Sequence, residues 1–260
     1  MFSSLYILLL KLFGNTLNII TGDTLVADRH IWLSHNLPET NNNENFLDIG
    51  CGSGAFTFVA AKRGYRALGC SWDDCNQKKA EERCSALKLN DRCEFQIADA
   101  RKLDTYEFND EKFDYILNFE NIEHIIDDKK LFIDIEKHLK PGGFLLLTTP
   151  NINFMKMSKG DIGPFSDIED GSHMRRGYSN QMLVELCEFS GLRVQKIEYC
   201  SGFVSQKTTY LYRKMQKIFG IYLSWVLILP LRPIVYLLEL IRIRGSGYSI
   251  CLVAYKPRFL

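Results

Sequence analysis

The residues best suited to chemistry stand in a glycine-rich segment near position 50. A short apolar run ends in Asp48 and Ile49, and Gly50, Cys51, Gly52, Ser53 and Gly54 follow directly. Glycine lets a backbone turn tightly and approach a ligand, and a helix beginning after the turn offers free N–H groups. The pattern predicts a ligand-binding loop. Position 55 is not the glycine that the dinucleotide pattern Gly-x-Gly-x-x-Gly requires, so a nicotinamide oxidoreductase is the weaker alternative.

A second group of reactive side chains follows the fourth predicted strand. Glu120, Glu123 and His124 stand just past its end, at the edge where parallel sheets bind ligands. The ordinary pKa of histidine, near ~6.5, makes His124 a candidate general base, assisted by Glu123, with Glu120 a candidate substrate contact. The alternative is that Glu123 and His124 only orient loops through hydrogen bonds.

A third group lies in the long segment from Asn151 to Tyr178, which carries little secondary-structure signal. Loops of this length in a compact domain are usually lids or binding loops. We therefore take His173 as a candidate catalytic residue and Tyr178 as a candidate substrate contact. The acidic residues of the segment have no metal-ligand spacing, so no metal site is predicted.

Alternating strands and helices must position these groups. Strands are predicted over residues 45–49, 65–70, 93–97, 113–118, 144–149, 193–199 and 249–255, with helices over 55–63, 76–87, 129–138 and 181–189. This order indicates an α/β, Rossmann-like, doubly wound, mostly parallel seven-stranded sheet. An inserted apolar helical cap precedes the last strand.

Composition excludes several classes of protein. The chain has 260 residues, 46% of them hydrophobic and 24% charged, which is the composition of a globular protein. Its 32 basic and 31 acidic residues nearly cancel, which gives no electrostatic case for a nucleic-acid partner. The eight cysteines form no Cys-x-x-Cys pair, and we expect buried thiols in a reducing cytoplasm.

Two apolar segments bear on membrane contact. The first lies at the N-terminus, and we weigh a helix docked on the domain against one at a membrane interface. Residues 218–231 are uncharged, too short to span a bilayer, and are followed by a Pro-rich corner and a second short helix to 241. Flanking Lys and Arg residues suit peripheral contact of 218–241 with the inner face of a membrane; the alternatives are a lid over a substrate pocket and a dimer face.

We divide the chain accordingly into three parts. Residues 1–40 form an N-terminal helical segment, residues 41–212 together with 246–260 form the ligand-binding domain, and residues 213–245 form the apolar cap. The oligomeric state is not predicted.

Four segments together resemble class I S-adenosylmethionine-dependent methyltransferases. They are LDIGCGSG from Leu47, IADARKL from Ile97, FDYILNFENIEHI from Phe113 and LKPGGFLLLTTPN from Leu139. The resemblance covers roughly residues 24–199 and the last strand, and extends to methyltransferases of quinone biosynthesis and of bacterial surface polysaccharides.

The resemblance implies S-adenosyl-L-methionine as the cofactor and a set of residues that bind it. Ser71 replaces the acidic residue that usually takes the ribose hydroxyls, as in cyclopropane-fatty-acid synthases, where an amide five residues later, here Asn76, assists; Trp72 would pack beside the adenine. The implied cofactor-binding residues are Asp48, Gly50, Cys51, Gly52, Ser71, Trp72, Asn76, Asp99, Ala100 and Asn118.

We therefore expect an enzyme that transfers a methyl group in line from the cofactor to a small or lipid-linked acceptor. One alternative is a binding or scaffold protein that keeps the fold without catalysis, motivated by the change at Ser71. Another is C-methylation or cyclopropanation of a lipid, which Ser71 and Asn76 suggest.

Overall fold

The apolar runs of the chain form one seven-stranded sheet in a computed structural model, which describes residues 4–17, 22–106, 108, 112–156, 161, 163–239 and 247–258. The strands are β1 (Asn45–Ile49), β2 (Arg66–Ser71), β3 (Cys93–Ile97), β4 (Phe113–Phe119), β5 (Leu139–Pro150), β6 (Arg193–Cys200) and β7 (Ser249–Tyr255). Their order is β3-β2-β1-β4-β5-β7-β6. The pairs from β3 to β5 are parallel, whereas β7 is antiparallel to both neighbours. The predicted fold class is confirmed.

Helices cover both faces of the sheet. They are α1 (Ser4–Phe13), α2 (Thr24–Asn36), α3 (Thr57–Lys62), α4 (Asp74–Leu87), α5 (Asp128–His138), α6 (Asn180–Ser190), α7 (Phe203–Ile228) and α8 (Arg232–Glu239). One core cluster contains Ile116 and Leu145 under α5 and α6, and the other contains Leu117 and Leu146 under α2 and α3. The alternation along β4 and β5 is that of strands buried on both faces.

The N-terminal helix docks on the domain. Leu10, Leu17 and Ala86 form a small cluster between α1 and α4, while Leu8, Leu12 and Phe13 point outward and are more than half exposed. All eight cysteines lie among the described residues and none of them forms a disulfide; Cys75 is the exposed one.

The apolar cap differs from its predicted form. The helix that we placed from residue 213 begins at Phe203, and Gly220 interrupts it with a φ of 74°. A short 3-10 turn at Leu229–Leu231 then leads into α8. The early start follows from tertiary contacts, since Thr24 of α2 donates from Oγ1 to the carbonyl of Ser205 over 2.7 Å. The domain boundary at 213 therefore falls inside α7, and residues 240–245 of the predicted cap lie outside the described residues.

Among the residues that the structure describes, no helix combines the length and the apolar character needed to cross a membrane.

Candidate functional site

The glycine-rich loop lies between β1 and α3, at the carboxyl edge of the sheet. Gly50, Gly52 and Gly54 all have positive φ, at 76°, 52° and 82°, a region that other residues enter at a cost. A Cβ added to Gly50 would lie 2.9 Å from Cγ of Asn121, whereas one added to Gly52 would meet no atom within 4 Å. The loop thus presents bare backbone to the space above it, as close approach of a ligand requires.

A cavity of about 340 Å³ opens beside this loop. The predicted residues Asp48, Gly50 and Cys51 line it, together with side chains that the sequence analysis did not single out: Tyr6, Phe56, Arg83 and Phe119. Arg83 donates to Oγ of Ser53 over 2.6 Å and lies 5.3 Å from the ring centre of Tyr6. No local sequence signal links α1 to this loop, because the contact joins segments that are far apart in the chain.

Asp48 is buried at the base of the loop. Its Oδ2 accepts a hydrogen bond from Oγ1 of Thr57 over 2.7 Å, which fixes the loop to the first turn of α3. Burial raises the pKa of Asp48 to about 7, and the hydrogen bonds from Thr57 only partly offset it. The Asp48 side chain therefore holds the loop in place, and its protonation determines the charge at the base of the loop.

Unsatisfied amides beside the loop fit a polar ligand. Asn118, at the end of β4, is fully buried, and neither its Oδ1 nor its Nδ2 has a hydrogen-bond partner among the described residues. The same is true of Nδ2 of Asn121, whose side chain abuts Gly50. Buried polar atoms of this kind carry a desolvation cost that a bound ligand removes. Asn118 and Asn121 could meet the polar groups of S-adenosylmethionine, so the chain fits that cofactor.

The end of β2 is arranged around a hydroxyl. Oγ of Ser71 accepts from the backbone N–H of Asp73 over 3.3 Å, while the side chain of Trp72 is 63% exposed. Asn76 is half-buried in the first turn of α4. Neighbouring Gln77 is buried, and both of its amide atoms lack hydrogen-bond partners among the described residues. Gln77 is therefore a second candidate, beside Asn76, for hydrogen bonds to the ribose of the cofactor.

Asp99 is held in an ion pair. Its carboxylate accepts from Nη2 of Arg101 over 2.6 Å and from Nε over 2.8 Å, and this guanidinium lowers the pKa of Asp99. Arg101 also contacts Glu169 of the long loop over 3.3 Å. Asp99 caps the 3-10 helix that begins at Ala100. A carboxylate has about four acceptor sites, so Asp99 retains capacity for a further donor.

Glu120 lies at the mouth of the site in a left-handed backbone conformation, with a φ of 46°. Its Oε1 accepts from Oγ of Ser249 over 2.8 Å, and its Oε2 pairs with Nη1 of Arg29 over 3.2 Å. Such a conformation costs roughly 1–3 kcal/mol and concentrates at functional sites. The sequence analysis missed Arg29, because α2 carried no motif that pointed to the site.

Glu123, His124 and His173 come together beside Glu120. One ligand-type atom from each of the three lies within 4.8 Å of the others, and the two imidazole rings are 4.6 Å apart at their centres. Oε1 of Glu123 lies 3.9 Å from Nε2 of His124, and its Oε2 accepts from Oγ1 of Thr149 over 3.2 Å. Nδ1 of His124 is 3.0 Å from the carbonyl of Ser172. The sequence analysis predicted no metal site, since 49 positions separate His124 from His173.

The pKa values of Glu123 and His173 shift in opposite directions. The carboxyl of Glu123 is buried, and desolvation together with the charge of Glu120 raises its pKa well above the usual range. The pKa of His173 is lowered, first by desolvation and then by neighbouring His124. Both shifts favour the neutral forms of these groups.

Tyr178 does not lie where the sequence analysis placed it. Its side chain is fully buried, and its hydroxyl donates to Oδ2 of Asp128 over 2.8 Å. Its backbone pairs with the Asn151 region, where Tyr178 N–H donates to the carbonyl of Pro150 over 2.8 Å. We therefore replace the predicted substrate contact with a structural role, in which Tyr178 closes the base of the long loop.

Comparisons with known proteins identify the family of the chain. A family model described as a methyltransferase domain matches residues 40–191. The chain is 31% identical over 112 residues to the chloroplastic tocopherol O-methyltransferase of Arabidopsis thaliana, covering 43% of this chain and 31% of that protein. It is 29% identical over 158 residues to the mitochondrial ubiquinone biosynthesis O-methyltransferase of Homo sapiens, covering 58% and 42%. The matches thus span less than half of these relatives.

The fold also has solved counterparts. Phosphoethanolamine N-methyltransferase 2 of Haemonchus contortus, in complex with S-adenosyl-L-methionine, superposes with a TM-score of 0.62 at 18% identity, over 92% of this chain and 55% of that one. Family match, sheet order and glycine-loop cradle agree: the chain belongs to the methyltransferase-domain family, and its cofactor is S-adenosyl-L-methionine.

Proposed function

We propose that the protein transfers a methyl group from S-adenosylmethionine to a hydroxyl of a small or lipid-linked acceptor. The observation that carries this proposal is the juxtaposition of two features along β4 and the loop after it. Asn118, the next-to-last residue of β4, has an unsatisfied amide, and five residues later Glu123 begins the cluster with His124 and His173. The first feature suits the polar groups of a cofactor, and the second suits an acceptor that must lose a proton.

The cofactor supplies an electrophilic methyl group when it is bound, and the chain supplies position. In our proposal the backbone at Gly50, Cys51 and Gly52 takes the methionine part, with the Asn118 and Asn121 amides on its polar groups. Ser71 and Asn76 serve the ribose, and Trp72, Asp99 and Ala100 surround the adenine. Tyr6 covers the pocket from α1, where it lines the cavity.

His124 is the proposed general base, with Glu123 and His173 beside it. Its Nδ1 faces the Ser172 carbonyl, which orients the ring and leaves Nε2 for the acceptor. Glu120 borders the same mouth as a substrate contact. An acceptor with a long apolar part is supported by the relatives named for tocopherol and ubiquinone.

Thermal unfolding with S-adenosylhomocysteine tests cofactor binding, with NAD as the control ligand. At 100 times its dissociation constant the product should add about 2.7 kcal/mol to the free energy of unfolding, and NAD should add none. Asn118→Leu removes an amide that has no partner, so the free protein should keep its stability and lose the ligand-induced shift. The cofactor assignment fails if S-adenosylhomocysteine leaves the wild-type protein unchanged.

We further propose peripheral contact with the inner face of a membrane through α7 and α8. Both helices carry large apolar side chains that face outward: Ile218 is 73% exposed, Ile221 64% and Leu237 60%. Lys207, Lys214 and Lys217 lie on α7. An apolar helical surface with a basic border binds the boundary of an anionic bilayer, which would place a lipid-linked acceptor near the site.

Co-sedimentation with vesicles tests this contact. The double substitution Ile221→Ser with Leu237→Ser should reduce binding to vesicles rich in phosphatidylserine several-fold. Ile97→Ser, at another apolar side chain that is 50% exposed, is the matched control and should bind as the wild type does. Equal binding by all three proteins would contradict membrane contact through this surface. If the double variant were instead monomeric in the absence of vesicles and the wild type dimeric, the surface would be a dimer face.

A further inference from the structure

The cluster of Glu123, His124 and His173 combines three ligand types that transition metals prefer. Two imidazoles and one carboxylate form a set that suits zinc, iron, cobalt or nickel, whereas magnesium and calcium take oxygen ligands. The candidate ligand atoms lie within 4.8 Å of one another, and Oε1 of Glu123 is 3.9 Å from Nε2 of His124. Ligand atoms that bind one ion at about 2.1 Å lie about 3.4 Å from one another. The three side chains would therefore have to move together by about 1 Å to bind an ion.

The surroundings of the cluster resemble those of a metal site. The Ser172 carbonyl lies 3.0 Å from Nδ1 of His124; it can accept the Nδ1 proton, which leaves the lone pair on Nε2, the atom nearest Glu123. Oγ1 of Thr149 holds the other oxygen of Glu123 over 3.2 Å. Ligating histidines and carboxylates are commonly held by hydrogen bonds of this kind.

The burial of Glu123 is a second observation, beside the geometry of the cluster, that suits a cation. The side chain is 1% exposed, and among the described residues its ion-pair contact is His124 at 3.9 Å. A buried carboxylate requires a proton or a compensating positive charge. The Arg29 guanidinium is paired with Glu120 instead. A cation held by the three side chains would provide that positive charge in place of a proton.

We infer that Glu123, His124 and His173 bind one divalent transition-metal ion, with coordination positions left open for an oxygen of the acceptor. The role of the ion rests on the proposed function, but its binding does not. A metal-bound hydroxyl loses its proton more readily than a free one. With the ion in place His124 and His173 act as ligands, and the ion replaces the His124 base of the proposed function. The hydroxyl proton then passes to solvent, and the oxygen stays bound to the ion.

Titration of the metal-free full-length protein with Co²⁺ tests the site, because bound Co²⁺ absorbs in the visible range according to its ligands. We expect one equivalent per chain. His173→Ala removes an exposed ligand and should weaken binding by about 100-fold or more, since loss of even an outer-shell partner costs 10–100-fold. Glu123→Gln should act likewise. His35→Ala, another exposed histidine, and Cys75→Ser, the exposed thiol, are the controls and should bind normally.

The outcomes separate this inference from the proposed function. Absence of Co²⁺ binding, or equal binding by His173→Ala, overturns the metal site. S-adenosylhomocysteine should still stabilise His173→Ala, since that side chain lies outside the cofactor cradle. Metal binding without any response to S-adenosylhomocysteine would keep the site and reject the methyltransferase assignment.

Discussion

At the scale of single residues, our proposal assigns the approach of the cofactor to the glycine loop. Gly52 and Gly191 both have positive φ, and a Cβ at either would meet no atom within 4 Å. They differ in place, since Gly52 lies in the cradle after β1 and Gly191 ends α6. This pair allows backbone strain to be separated from obstruction of a ligand.

Substitution of each glycine by alanine should have the same cost and a different consequence. Both variants should lose about 1 kcal/mol in free energy of unfolding, because alanine is strained in the left-handed region. Only Gly52→Ala should lose affinity for S-adenosylhomocysteine, by tenfold or more in calorimetric titration. Equal affinities for the two variants would show that the loop does not approach the ligand at Gly52.

Asp48 should give the protein a measurable pH dependence. Its pKa is about 7 when folded and about 3.9 when unfolded, so the folded state binds the extra proton between these values. The contribution of Asp48 to stability therefore falls as pH rises from about 4 to 7 and is constant above.

Asp48→Asn removes this penalty. In urea unfolding, the stability of the variant relative to the wild type should increase by roughly 3 kcal/mol between pH 4 and 7. Asp91→Asn, at an exposed position, makes the same change of charge and should show no such trend. A difference that is flat with pH for Asp48→Asn would contradict the burial argument.

At the scale of elements, the last residue of α8 caps the N-terminus of α7. Gly202 at the start of α7 has no side chain to cap the helix, and Glu239 at the end of α8 takes that role. Its two oxygens accept from the N–H groups of Gly202 and Ser205 over 2.7 and 2.9 Å. A carboxylate at a helix N-terminus satisfies free donors and complements the helix dipole.

Glu239→Ala should therefore destabilise the protein by about 1–2 kcal/mol, measured as a shift in the urea midpoint. Glu185→Ala, an acidic residue on the exposed face of α6, should change it by less than about 0.5 kcal/mol. If the two variants unfold alike, α8 does not cap α7 in solution.

At the scale of the whole molecule, the sheet depends on its last strand. β7 pairs with β5 from Phe144↔Tyr255 to Pro150↔Ser249, and with β6 along its other edge. β7 thus joins β6 to the rest of the sheet, so folding has to bring residues 249–255 back between β5 and β6.

Removal of residues 249–260 should abolish cooperative unfolding, because it exposes the apolar edges of β5 and β6 together. Arg258→Ala, at an exposed residue after β7, is the control and should leave the transition unchanged. A truncated chain that still unfolded cooperatively, with native circular dichroism, would mean that β6 is dispensable for the core.

The sequence by itself determined the strands, their alternation with helices along the chain, and the glycine loop, because these depend on local patterns of apolar residues and turns. It also placed Asn118 and His124 at the edge of the sheet where ligands bind. Only the tertiary structure decided the rest, since the contacts involved join residues far apart in the chain. Tyr6 lines the cavity beside the glycine loop, and His173 lies next to His124 and Glu123. Glu239 caps α7, which begins ten residues before the predicted cap. Tyr178 was predicted to be a substrate contact, but its hydroxyl donates a hydrogen bond to Asp128. A buried polar side chain requires a hydrogen-bond partner, and spacing along the sequence does not specify which residue that is.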